Sequence, residues 1–324
     1  MSTRQALWLV LAILALLAFW LVSPASVGGR GGLHTKIDQL VQIGNRPVIA
    51  CDTIAAQRPI VILALGQSNA ANFGAAPSGG PPITLTAEGK CFMAVDPLPG
   101  SSGDGGSIWF LLAHRLSALG LQRPIVMSVM GVDATSIDDW TATQSPLRER
   151  LVRQLQSMQS AGLAPELILW QQGEADARAT TTEPVYSAGL DKLAAILEQA
   201  GSQAPIFLAR STVCRSGPST AVRAAIEAKA GNGRFRLGPD TDTLVGSDLR
   251  RDGCHFSGQG LDRAAQLWAA RLLVLHRPNR SLCSGQRALI RLGECLSLRS
   301  PAGKAGLPQQ GAFIQVAVSQ YELA

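Results

Sequence analysis

Four short apolar runs, three entered directly after a proline and the fourth after Pro165-Glu166, constrain this chain more than any other feature. They are Ile60–Leu65 (IVILAL), Ile125–Val129 (IVMSV), Leu167–Trp170 (LILW) and Ile206–Ala209 (IFLA). Runs this short, without polar alternation, are the signature of strands buried on both faces. Proline is tolerated at the start of a strand but not in its middle. Between the runs lie segments with helical period. Ile108–Leu119 is one. Pro146–Gln159 sets Leu147, Leu151, Leu155 and Met158 on one stripe and stops at Gly162. Pro184–Ala200, Ala221–Ala230 and a last helix capped by Ser257 and running to Leu275 complete the set. Strand and helix in alternation predict an α/β fold with a parallel central sheet covered on both faces. In such sheets ligands bind beyond the carboxyl ends of the strands, so the chemistry is sought there.

The chain's 324 residues are 46% hydrophobic and 16% charged, which excludes a wholly disordered chain. Only Ala6–Val22, 17 uninterrupted apolar residues behind Arg4, approaches the roughly 20 needed to span a bilayer, so a polytopic membrane protein is excluded too. Residues 1–22 read as a signal-anchor or signal peptide. Ser23-Pro24-Ala25 offers a cleavage point, and the retained anchor is favoured, with the rest of the chain outside the cytoplasm, periplasmic or extracellular. Residues 23–50, containing the glycine-rich Gly28–Gly32, read as a tether, 51–276 as the main folded domain, and 277–324 as a tail or small appendage. The formal charge of +6 comes entirely from residues 250–300, with nine arginines against three acids. No aromatic ladder or basic-helix motif accompanies them, so nucleic acid is not an expected partner.

Six cysteines, Cys51, Cys91, Cys214, Cys254, Cys283 and Cys295, suit disulfides in an oxidising compartment. The pairing stays open; neighbours along the chain suggest 51–91, 214–254 and 283–295. No C-x-x-C occurs, which counts against a zinc ribbon or a thioredoxin-like site.

Three blocks carry candidate chemistry. The first strand runs into Gly66-Gln67-Ser68-Asn69, which sets the Ser68 hydroxyl on a turn at a strand's carboxyl end. A nucleophilic serine needs a base. Of the four histidines only His255 stands in a loop beside an acid, in Asp252-Gly253-Cys254-His255-Phe256. At a spacing of three, Asp252 reaches Nδ1 and leaves Nε2 free to take a serine proton. The third block, Trp170-Gln171-Gln172-Gly173-Glu174-Ala175-Asp176, follows a later strand with amides and acids suited to an oxyanion or to substrate. Gly103–Ser107 is a weaker glycine loop before a helix. A glycosidase pair of Glu174 and Asp176 is a poor alternative, because carboxylates two residues apart on one loop do not flank a glycosidic bond.

Together, G-Q-S-N, W-Q-Q-G-E-A-D and D-G-C-H-F resemble the SGNH/GDSL hydrolase superfamily, and within it the sialate O-acetylesterase-like branch related to carbohydrate esterase family 6. The resemblance covers about Ile60 to Leu275. It implies a flavodoxin-like three-layer α/β/α sandwich with Ser68 as nucleophile, His255 as base and Asp252 as its orienter. It also implies an oxyanion hole of the Ser68 N–H, a second-block glycine (Gly106) and Gln172. Gln67, Asn69, Glu174 and Asp176 then support the site or bind substrate, and a disulfide through Cys254, to Cys214, clamps the base loop. The implied activity is removal of O-acetyl groups from an acetylated carbohydrate, with no metal or organic cofactor. An O-acetyltransferase acting on an exported polysaccharide and a non-catalytic carbohydrate-binding protein are the alternatives.

Overall fold

The computed structural model describes residues 27–276. The apolar run 6–22, the expected tail 277–324 and the pair Cys283 and Cys295 lie outside the described residues. The helices are α1 (Val27–Asp38), α2 (Cys51–Ala56), α3 (Ile108–Ala118), α4 (Ile137–Thr141), α5 (Pro146–Ser160), α6 (Glu174–Arg178), α7 (Glu183–Gln199), α8 (Thr220–Lys229) and α9 (Gly258–His276). The strands are β1 (Val48–Ile49), β2 (Ile60–Gly66), β3 (Ile83–Ala87), β4 (Lys90–Ala94), β5 (Ile125–Gly131), β6 (Leu167–Gln171), β7 (Ile206–Arg210) and β8 (Phe235–Asp240). They form one sheet in the order β1-β4-β3-β5-β2-β6-β7-β8, parallel from β3 to β8 and antiparallel at β1 and β4.

Residues of β2 alternate between two cores. Val61, Leu63 and Leu65 face a layer holding Leu151, Leu155, Leu190 and Val222 from α5, α7 and α8. Ile60, Ile62 and Ala64 face Trp109, Leu112 and Trp268 from α3 and α9. Every residue of β2 and β5 is buried, as an apolar run without alternation requires. The architecture is thus the three-layer α/β/α sandwich. Its central strand β2 has β5 on one side and β6 on the other, so a crevice opens at the carboxyl end of β2.

The segment expected as a tether is folded from Val27 onward. Gly28–Gly32 lies within α1, where each glycine costs roughly 1 kcal/mol relative to alanine. Burial of Leu33, Leu40 and Ile43 against the cores offsets that cost, and Lys36 Nζ donates to the Asp133 carbonyl at 2.8 Å. Among the described residues no helix is long and apolar enough to cross a membrane. Two disulfides close loops, Cys51–Cys91 near the β1 edge and Cys214–Cys254 beside the crevice.

Candidate active site

Gly66 ends β2 in a conformation (φ 150°) that L-residues avoid, and a Cβ there would stand 2.0 Å from the Gln171 carbonyl. This close approach lets β2 and β6 run side by side to their ends. The chain then turns through a 3₁₀ turn, Ser68–Ala70. Ser68 is 5% exposed and lines a cavity of about 140 Å³ together with Gln67, Phe73, Ala134 and His255.

His255 arrives from the other wall. Its Nδ1 lies 2.7 Å from Asp252 Oδ2, while Asp252 Oδ1 accepts the backbone N–H of His255 (2.7 Å) and of Cys254 (2.9 Å). These bonds and the imidazole hold the Asp252 carboxyl well below the usual carboxylate range, against a desolvation that pushes it up. Phe73 stacks on the imidazole with centroids 5.2 Å apart. The structure therefore brings Ser68 and His255 to one cavity, with Asp252 bonded to His255 Nδ1 and Nε2 left as the ring nitrogen that Asp252 does not occupy.

Behind the cavity lies a buried polar layer. Asn69 Nδ2 donates to Glu174 Oε1 (2.7 Å) and to the Cys254 carbonyl (3.2 Å), tying the serine turn to the loop that carries His255. Ser211 Oγ also donates to Glu174 Oε1. Burial raises the Glu174 carboxyl to about 7, outweighing those two bonds and the charge of Arg250. Gln67 Oε1 accepts from the Ala175 N–H at 3.0 Å, fixing α6 beneath the serine turn.

Two expectations change. Gln172 is fully buried, and its Nε2 is committed to the Thr135 carbonyl (2.9 Å), Asp176 Oδ2 (2.6 Å) and Gln67 Oε1 (3.3 Å). Its amide is scaffold, with no proton left for an oxyanion. Gly106 packs its backbone against the Phe73–Ala76 loop, where a Cβ would meet the Ala76 carbonyl at 2.3 Å, and it does not line the cavity. Of the two roles expected for Asp176, the internal bonds fit support rather than substrate contact: it accepts from the Ile137 N–H (2.8 Å) and Thr181 Oγ1 (3.0 Å), and burial pushes its carboxyl up. Glu174 and Asp176 are each 1% exposed and neither lines the cavity, a poor arrangement for a glycosidase pair.

Ala134, in the loop after β5, was not legible as a site residue. It lines the cavity in a left-handed conformation (φ 49°), uncommon for alanine. Neither its N–H nor that of Ser68 meets an acceptor among the described residues. The one sequence signal was position, a loop directly beyond the carboxyl end of a buried strand.

This sheet order, with its crevice at the end of β2, is the fold of the SGNH hydrolases, and the chain is an ester-bond hydrolase of that class. It belongs to the family described as carbohydrate esterase, sialic acid-specific acetylesterase, whose model matches residues 59–273. A protein from Arabidopsis thaliana shares the fold at a TM-score of 0.51 and 20% identity, covering 67% of this chain and 98% of its own. A family 3 carbohydrate esterase from Clostridium thermocellum superimposes with a TM-score of 0.44 at 13% identity, over 67% of this chain and 96% of that one. No curated protein sequence matches the chain.

Proposed function

We propose that this carbohydrate esterase removes O-acetyl groups through an acyl-enzyme on Ser68. The observation that carries the reading is the 2.7 Å contact of Asp252 with His255 Nδ1 at a cavity that Ser68 also lines. His255 Nε2 takes the Ser68 proton as Oγ attacks the acetyl carbonyl, and then gives it to the departing sugar hydroxyl. Water repeats the sequence on the acyl-enzyme. Asp252 keeps the proton on Nδ1 and steadies the imidazolium. The free N–H groups of Ser68 and Ala134 supply the oxyanion donors in place of Gly106 and Gln172.

Arg178 and Arg215 line the same cavity, which suits a sugar bearing a carboxylate, such as the sialic acid of the family description. The apolar run 6–22 and the two disulfides support an exported enzyme held at a membrane. Mass spectrometry of the mature N-terminus tests this, and a chain beginning near Ser26 would overturn the anchor. The catalytic test is acetate release from an aryl acetate, O-acetylated sialic acid and acetylated xylan, with and without Ser68→Ala. Release without added sugar acceptor separates hydrolysis from acetyl transfer. Full activity in Ser68→Ala would refute the nucleophile.

A further inference from the structure

The base loop is pinned at Cys254, between Asp252 and His255. Its carbonyl accepts from Asn69 Nδ2 and Arg250 Nη1, its N–H donates to Asp252 Oδ1, and its sulfur is bonded to Cys214. Of these anchors Arg250, like Cys214, belongs to none of the three motif blocks. It is 2% exposed, an unusual place for a guanidinium. Every nitrogen of its fork ends on a backbone carbonyl: Nε on Leu244 (2.6 Å), Nη2 on Thr241 (3.0 Å) and Nη1 on Cys254. The Phe256 ring covers it, 4.7 Å from centroid to Cζ. Burial lowers the pKa of this guanidinium, and the nearby acids Glu174, Asp242 and Asp252 oppose that shift.

The backbone closes around this side chain. Arg250 pairs with Phe256 in an antiparallel bridge, and the Arg251 N–H donates to the His255 carbonyl at 2.9 Å. Residues 251–255 thus form a closed tip carrying Asp252 and His255, and the guanidinium lies under its base. Thr241 and Leu244 sit just beyond β8, so the fork sets the height of the tip above the sheet. Asn69, sharing the Cys254 acceptor, sets its distance from the serine turn. A planar fork spans three carbonyls; an ammonium does not.

We propose that Arg250 is a positioning residue of the reaction, holding the Cys254 carbonyl so that His255 Nε2 stands where the Ser68 proton is delivered. This rests on the reading of Ser68, His255 and Asp252 given above. Displacements near 1 Å in a catalytic group cost on the order of 100-fold in rate.

The test is Arg250→Lys in the full chain, assayed with p-nitrophenyl acetate. Turnover falls on the order of 10- to 100-fold while KM stays within about threefold, because the lysine stays buried outside the cavity. The loss is shared with Asp252→Asn: the double variant falls no more than about threefold below the worse single variant, whereas independent effects multiply. A folded Arg250→Lys protein with kcat within about twofold of the parent, or losses that multiply, overturns the assignment. Should Arg250→Lys give no folded protein, Phe256→Leu decides, by removing the ring that holds the fork. A several-fold fall in kcat supports the proposal, and an unchanged kcat overturns it. Activity surviving in Ser68→Ala would instead sink the underlying mechanism, so the two failures are distinct.

Discussion

Replacing Glu174 by glutamine tests the buried layer behind the site with a sign that depends on pH. Burial lifts this carboxyl from an ordinary 4.5 to about 7. Below about pH 4.5 the folded and unfolded chains both carry the proton. As pH rises from there the unfolded chain releases it first, and folding stability falls until the folded carboxyl also ionises near 7. The whole loss is about 3 kcal/mol. Glutamine has the same shape and never ionises. Its Oε1 still accepts from Asn69 and Ser211, and its NH₂ replaces Oε2, which has no hydrogen-bond partner. An unpartnered buried NH₂ costs about 1–3 kcal/mol at every pH. At pH 5, Glu174→Gln is therefore expected to be less stable than the parent. At pH 8.5 the order closes or reverses, the difference moving by about 2–3 kcal/mol between the two. Urea unfolding followed by tryptophan fluorescence reads this directly, and groups such as Asp96, raised by burial to about 6, cancel in the comparison. A difference constant with pH to within about 0.5 kcal/mol would show that Glu174 is not held as a raised, buried acid. In the same samples ester hydrolysis is expected to fall only partially; complete loss alongside an active Ser68→Ala would belong to a glycosidase.

Asp252→Asn should leave a small remainder of hydrolysis where His255→Ala leaves almost none, because in the proposed mechanism Asp252 only orients the base that His255 supplies; equal and complete losses in aryl acetate assays would contradict that division. Exchanging both Cys214 and Cys254 for serine should lower kcat, since that bridge pins the base loop. The same exchange at Cys51 and Cys91 should cost about 2–4 kcal/mol of stability and leave kcat unchanged; thermal unfolding and turnover measured together separate them. Gly66→Ala places a methyl 2.0 Å from the Gln171 carbonyl and should abolish soluble folded protein or cost several kcal/mol, about 4 or more. Wild-type stability in that variant would mean that β2 and β6 end differently.

The sequence by itself determined the frame. Four strands were legible because burial on both faces writes itself into contiguous apolar residues. The longer helices α3, α5, α7, α8 and α9 were legible through helical period, as in Leu147, Leu151, Leu155 and Met158, whereas α1, read as a tether, and the short α2, α4 and α6 were not. The hairpin of β3 and β4 escaped: its strands are short and mixed, and its turn is Glu88-Gly89, both with positive φ. Strand β8, with Gly238 and Pro239 inside it, reads as loop until β7 pairs with it. Ser68, Asp252 and His255 were legible as candidates because the chain has only four histidines, of which His255 alone stands in a loop beside an acid, and because Ser68 follows the carboxyl end of an apolar strand. Oxyanion donors were not, since almost every residue has a backbone N–H. Gln172 has the right amide in a promising loop, yet Thr135, Asp176 and Gln67 occupy it. Ala134 has no functional side chain, yet its N–H faces no acceptor. Which donors remain free, and which buried cation holds the base loop, are matters of pairing between distant segments. A sequence lists the groups that can pair, and only the packed chain decides which have been used.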